Sequence, residues 1–190
     1  MEEKGDGKFP VLETERLILR KISMDDLEDM YEYGSSDEVS AYVSWPTHQS
    51  MEDTKRFVET VLEEYSRGVL PVFWGIVLKT SQKLIGTINY VSWKPKHQTG
   101  EIGYVLSRHY WGQGFMPEAA EKVLEYGFCQ LGLIRVQARC FVENTGSEKV
   151  MQKVGMTHEG TMRKAMFAKG RHWDLRMYSV LADEFGVNKK

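Results

Sequence analysis

Cysteine is scarce: two residues in 190, Cys129 and Cys140, both on patterned segments that suit isolated thiols rather than a disulfide framework. No apolar run approaches the ~18 residues of a membrane-crossing helix, and the first residues carry no apolar leader core. Neither sign of charge dominates. Lys and Arg number 25 against 27 Asp and Glu, a net charge of -2 and a pI near 6.2. That excludes a protein held to nucleic acid or to a membrane surface by bulk electrostatics. His97, His109 and His158 have no metal-ligand spacing among themselves or with the cysteines, so no metal site is expected. A Gly-x-x-x-x-Gly-Lys-Ser/Thr loop is missing, which removes the nucleotide hydrolases that depend on one. Repeats and low-complexity segments are missing too. The expectation is a single cytosolic domain over residues 1–190, with a core from about 12 to 185 and frayed ends up to Lys8 and from Val187.

What the chain does contain is a legible order of elements. Arg16-Leu-Ile-Leu-Arg20 alternates as a strand does, and Asp25 to Tyr33 reads as a short helix capped by Ser23. Ser50-Met-Glu-Asp53 opens a second helix toward Arg67, acidic in its first turn as the helix dipole favours. Val72 to Leu78 and Leu84 to Val91 are β-branched apolar runs joined by Thr80-Ser-Gln-Lys83, a central hairpin. Gly100 to Leu106 supplies another strand. Ala119, Ala120, Val123, Leu124, Gly127, Phe128 and Leu131 form one stripe of a helix over Glu118 to Leu131. Alternation from Ile134 to Cys140 predicts a strand, Asn144 opens a helix closed by Gly155, and Met156–Phe167 with Trp173–Leu181 flank a Lys169-Gly170 turn. Such an order builds a mixed sheet with helices on both faces.

Tyr110-Trp-Gly-Gln-Gly-Phe-Met-Pro117 stands between a strand and a helix. Two glycines there let backbone approach a ligand closely, and the following helix turns its first N–H groups to the same spot. That is an anion cradle, suited to a phosphate or diphosphate. A Rossmann site would need a third glycine where Pro117 stands and an acidic residue on the next strand, which Arg135 to Phe141 does not offer.

Four motifs in order, namely Trp111-Gly-Gln-Gly114-Phe-Met116, Asn144-Thr-Gly-Ser147 running on to Gly155-Met156, Gly100-Glu-Ile-Gly-Tyr104-Val-Leu106, and Glu159-Gly-Thr-Met-Arg163 with Asp174, together resemble the GNAT superfamily of acetyl-coenzyme A-dependent N-acetyltransferases. The likeness is to the branch that includes the ribosomal-protein N-terminal acetyltransferases, and it runs from about Leu12 to Phe185. Trp111 stands where the wider family has Arg or Gln, and Met116 where it has a small residue, leaving backbone N–H groups as the main phosphate donors. The resemblance implies an α/β (α+β) fold with a largely antiparallel central sheet of about seven strands. It implies acetyl-coenzyme A held by Tyr104, Val105, Leu106, Gly112, Gln113, Gly114, Phe115, Met116 and Asn144.

Acetyl transfer to an amine needs a proton acceptor, a positioned thioester, an oxyanion donor and a proton for the leaving thiolate. Glu101 matches a position where family members carry a catalytic glutamate; the alternative is a solvated strand-edge carboxylate. A bulge near Tyr104 to Leu106 would free N–H groups for the oxyanion. Ser147 could hydrogen-bond the thiol, or with Asn144 the pantetheine amides, while Asn144 could equally be a helix cap. Tyr42, Trp45, Tyr90 and Trp93 could line the acceptor pocket or belong to core and rim. Asp174 could orient the amine or pair with Arg163 or Arg176. His109 reads as a surface-loop residue, and Cys129 lacks a paired histidine and is no nucleophile. The expected partner is an amine-bearing acceptor, a small molecule or a protein N-terminus, taken by a monomer or homodimer. The alternatives are a non-catalytic acetyl-coenzyme A sensor and a transferase of another acyl group.

Overall fold

A computed structural model describes residues 9–67 and 73–186; the ends read as frayed, and Val72 of the first hairpin strand, lie outside them. The chain forms β1 (Leu12–Glu13), β2 (Leu17–Arg20), α1 (Leu27–Gly34), α2 (Asp37–Ser40), α3 (Met51–Arg67), β3 (Phe73–Leu78), β4 (Leu84–Lys94) and β5 (Thr99–Leu106). After these come α4 (Phe115–Cys129), β6 (Arg135–Phe141), α5 (Thr145–Lys153), β7 (Thr157–Ala168) and β8 (Arg171–Leu181). The eight strands lie in the order β1-β2-β3-β4-β5-β6-β8-β7. The additional strand against the expected seven is β1, whose two residues are too few to show alternation. Neighbours are antiparallel except β5 and β6, the pair joined through α4, because a parallel pair needs a crossover long enough to hold a helix.

Ends of the helices follow the side-chain chemistry expected of them. Ser23 and Asp26 form a reciprocal capping box ahead of α1, and Asn144 accepts from the Ser147 N–H at the start of α5. Helix α4 begins at Phe115, three residues earlier than its apolar stripe suggests. Gly114 takes φ +82 as its N-cap, and Pro117 falls in the first turn, where its missing N–H costs nothing.

Each sheet face carries its own core. Ile85, Ile88, Tyr90, Ile102 and Val136 pack against Ala119, Ala120, Val123 and Leu124 of α4. On the opposite face Val77 and Leu84 pack against Met30 and Tyr33 of α1 and Val58 and Val61 of α3. A smaller cluster of Phe141, Ala168, Trp173 and Leu175 fills the β6–β8–β7 end, with the Phe141 and Trp173 rings stacked 4.3 Å apart.

Tyr90 and Gly127 lock β4 to α4. The tyrosine hydroxyl donates to the Val123 carbonyl at 2.9 Å, and a Cβ at Gly127 would lie 2.0 Å from that hydroxyl oxygen. Gly127→Ala therefore drives the phenol out and strands a buried hydroxyl, at an expected cost of about 2–4 kcal/mol. For a chain of this length that lowers the midpoint of a thermal melt by about 10 °C; an unshifted melt would show that the contact is slack.

Candidate active site

Strands β5 and β6 begin side by side and part. Their parallel register runs only from Thr99 with Arg135 to Glu101 with Gln137, while β5 stays paired to β4 through Leu106. From Ile102 onward the β5 edge that faces β6 has no strand partner among the described residues. The expected bulge near Tyr104 to Leu106 is thus corrected. The register slip lies in β4 between Tyr90 and Ser92, and the N–H groups of β5 are freed by the splay of the two strands instead.

The mouth of that splay meets the glycine loop and α5. Gly112 and Gly114 adopt φ +75 and +82, and a Cβ on Gly112 would meet nothing within 4 Å, so the loop presents bare backbone. Trp111 is tied back, its indole N–H donating to the Leu106 carbonyl at 2.8 Å; this anchoring is what the tryptophan contributes where the family has Arg or Gln. Arg16 braces the loop from below. Its Nη1 donates to the Gln113 carbonyl at 3.1 Å, its guanidinium lies 4.2 Å from the Phe115 ring centroid, and its Nε binds Glu118 at 2.7 Å. Burial pushes the Glu118 carboxyl up, but hydrogen bonds from Thr14 and Arg16 outweigh it and hold it below its ordinary value. Arg16 escapes a reading by motif because its partners lie about a hundred residues away.

A cavity of about 860 Å³ joins these parts. Among the expected residues, Glu101, Tyr104, Val105, Leu106, Asn144 and Ser147 line it, as do Gly112, Gly114, Phe115 and Met116 of the loop. Tyr104 reaches across the splay to α5, its hydroxyl 2.9 Å from Ser147 Oγ, and burial raises it far above an ordinary phenol. Burial likewise pushes the nearby Cys140 thiol up to about 11, which leaves it protonated and a poor nucleophile. Lys149 and Lys153 line the same arm, and neither makes an ion pair among the described residues. The cradle, the two lysines and the bare β5 edge suit a ligand with a diphosphate at one end and an amide-bearing arm leading inward.

Glu101 sits at the inner end of that arm with 7% of its surface exposed, so it is not a solvated edge carboxylate. Arg139 Nε lies 2.7 Å from one oxygen, and Gln137 Nε2 donates to the other at 2.8 Å. The residues are assembled by register, Glu101 beside Gln137 across the last parallel pair. Sequence reading missed Arg139 and Gln137 because their alternation identifies only a strand.

Beyond Glu101 the cavity continues between β4 and the segment from α2 to α3, where Tyr42 and Trp45 line it. Three expected residues do not reach it. Tyr90 is fully buried against α4, on the opposite face of β4, and Trp93 packs on that same core. Asp174 lies on the exposed face of β8 and accepts from the Lys164 N–H at 2.7 Å; among the described residues it pairs with neither Arg163 nor Arg176, and Arg176 pairs with Glu148. Gln113 turns its amide back onto the His109 carbonyl, leaving only its backbone near the cradle. Glu159 is structural: Arg135 draws its carboxyl down to about 2 and ties β7 to β6.

A family profile described as "Acetyltransferase (GNAT) domain" matches residues 16–157. The chain is 37% identical over 175 residues to the Bacillus subtilis protein named uncharacterized N-acetyltransferase YoaA, covering 91% of this chain and 97% of that one. It is 27% identical to the ribosomal-protein-serine acetyltransferase of Escherichia coli, over 90% of this chain and 95% of that one. Among solved structures, a GNAT-family acetyltransferase from Bacillus anthracis superposes with a TM-score of 0.81 at 33% identity, covering 92% of this chain and all of that one.

Proposed function

The chain belongs to the GNAT acetyltransferase family, and from that premise we propose that it is a cytosolic N-acetyltransferase that passes the acetyl group of acetyl-coenzyme A directly to a primary amine. The observation that carries this reading is one continuous cavity with an anion cradle at one end and a buried, oriented carboxylate at the junction with an open second arm. A sensor of the cofactor would need neither the second arm nor a carboxylate facing it.

Acetyl-coenzyme A supplies a thioester, an acyl group already activated toward attack by nitrogen. The backbone of Gly112 and Gly114 with the first turn of α4 binds the diphosphate, and Lys149 and Lys153 add positive charge along the same arm. N–H groups on the unpaired edge of β5 donate to the acetyl carbonyl oxygen as negative charge builds there. Glu101, kept in place by Arg139 and Gln137, accepts the proton that the amine sheds, directly or through water. The Tyr104 hydroxyl, hydrogen-bonded to Ser147, donates a hydrogen bond to the departing sulfur, which takes its proton from solvent as coenzyme A leaves. No residue forms an acyl-enzyme: Cys140 is protonated and Cys129 lies exposed on α4.

Thiol release from acetyl-coenzyme A tests the reading. Release should rise with an added primary amine and the acetylated amine should accumulate in equal amount. Tight cofactor binding with no acceleration by any amine in a panel of peptides and small amines would favour the sensor.

A further inference from the structure

The second arm of the cavity is walled by rings. Tyr33, Tyr42, Trp45, Phe57 and Phe73 line it together with His48, and neighbouring rings are inclined to one another. Phe57 and Phe73 have centroids 5.8 Å apart at 63°, and Trp45 and His48 are 5.2 Å apart at 44°. Aromatic walls in such arrangements hold a planar ring by stacking and edge contacts beyond what burial of area provides. His48 is built into the wall: its Nδ1 lies 2.8 Å from the Thr54 hydroxyl, and its ring covers Gly34, where a Cβ would meet Nδ1 at 2.8 Å. Burial lowers the imidazole below its ordinary value, so at neutral pH it adds no charge to oppose an incoming ammonium.

The carboxylates of the lining are already paired. Among the described residues two carboxylates face the cavity, Glu101 and Glu143. The first is engaged by Arg139 and Gln137, and the second lies 3.8 Å from Arg171. Among the described residues a polyamine would therefore find no unpaired carboxylate for its second ammonium.

A polar group on the sheet wall of the cavity can meet a single amine. Asn89 stands opposite Gly103 in the β4–β5 register, and Glu101 lies two residues before Gly103, hence on the same sheet face. The Asn89 side chain lines the cavity and has no hydrogen-bond partner among the described residues.

The arm is also bounded. Lys169 in the β7–β8 turn donates to the Ser40 carbonyl at the end of α2, joining two segments that wall it; Val39 comes from one and Met166 from the other.

We propose that the acceptor is an arylalkylamine, a small primary amine carried on an aromatic body with no second cationic centre. Its ring lies among Trp45, Tyr42, Phe57 and Phe73, and its nitrogen lies between the Asn89 amide and Glu101. This rests on the transferase reading above and names its substrate class.

Thiol release would be measured with 2-phenylethylamine, n-propylamine, spermidine and a short peptide beginning with serine, alongside calorimetry of acetyl-coenzyme A. The expected result is a kcat/KM for phenylethylamine about tenfold or more above the other three. Trp45→Ala should then lower the phenylethylamine value about tenfold further than the propylamine value, mostly through KM. Tyr42→Ala, at a half-exposed position, should act in the same direction. The proposal is overturned if spermidine or the peptide is preferred, if no arylalkylamine is turned over by protein that binds acetyl-coenzyme A, or if Trp45→Ala lowers all amines equally. Failure to bind acetyl-coenzyme A at all would instead overturn the transferase reading, and the acceptor assignment with it.

Discussion

Gly114→Asp should abolish acetyl-coenzyme A binding and leave the protein folded. Gly114 holds φ +82 as the N-cap of α4, a region that aspartate enters at a cost of order 1 kcal/mol. Space does not forbid the substitution, since the nearest atom to an added Cβ is Arg16 Nη2 at 3.5 Å. A carboxylate there also gains from the helix N-terminus and from Arg16. Those same attractions keep it in the cradle, where it takes the N–H groups a diphosphate needs and sets like charge against it. A loss of more than about a hundredfold in affinity is expected, equivalent to about 3 kcal/mol, with an unchanged thermal melt. Wild-type affinity by calorimetry would move the diphosphate away from this loop.

Glu101→Gln should cut kcat by about a hundred- to ten-thousandfold, the range of a lost proton acceptor, while the dissociation constant for acetyl-coenzyme A stays within about twofold. The amide keeps the shape of the carboxylate and can still meet Gln137, and Arg139, 39% exposed at its side chain, can be hydrated when its partner charge is gone. The fold should thus tolerate the change. A variant whose pH–rate profile coincides with that of the parent would assign the proton to water or another group. A raised dissociation constant with intact kcat would make Glu101 a binding residue instead.

Much of the site was readable because it is local. The glycine loop announces its cradle through two glycines next to a helix start, and Asn144 and Ser147 lie three residues apart at a cap. Glu101, Tyr104 and Leu106 were placed together as parts of one strand motif and by likeness to a family. Tyr90 and Asp174 failed for a different reason. Periodicity says that a residue alternates but not which of two buried faces it meets, and Tyr90 points to α4 instead of the acceptor arm. Asp174 sits on an edge hairpin whose irregular register with β7 has no signature in sequence. Asn89 was overlooked because a lone asparagine in a strand announces nothing until its neighbour across the ladder is known to be a glycine.

The sequence by itself determined the longer elements, the central hairpin, the capped helices and the glycine loop ahead of α4, since each depends on contacts within a few residues. It also determined the family, through motifs in a fixed order. Only the tertiary structure decided that β5 and β6 part after Glu101, that Arg139 and Gln137 grip its carboxylate, and that Arg16 braces a loop about a hundred residues away. Only it gathered rings from the segment between α1 and β3 into one arm of the cavity beyond Glu101. Those features arise from strand register and from packing between distant segments, and pairing across such distances leaves no periodic trace along the chain.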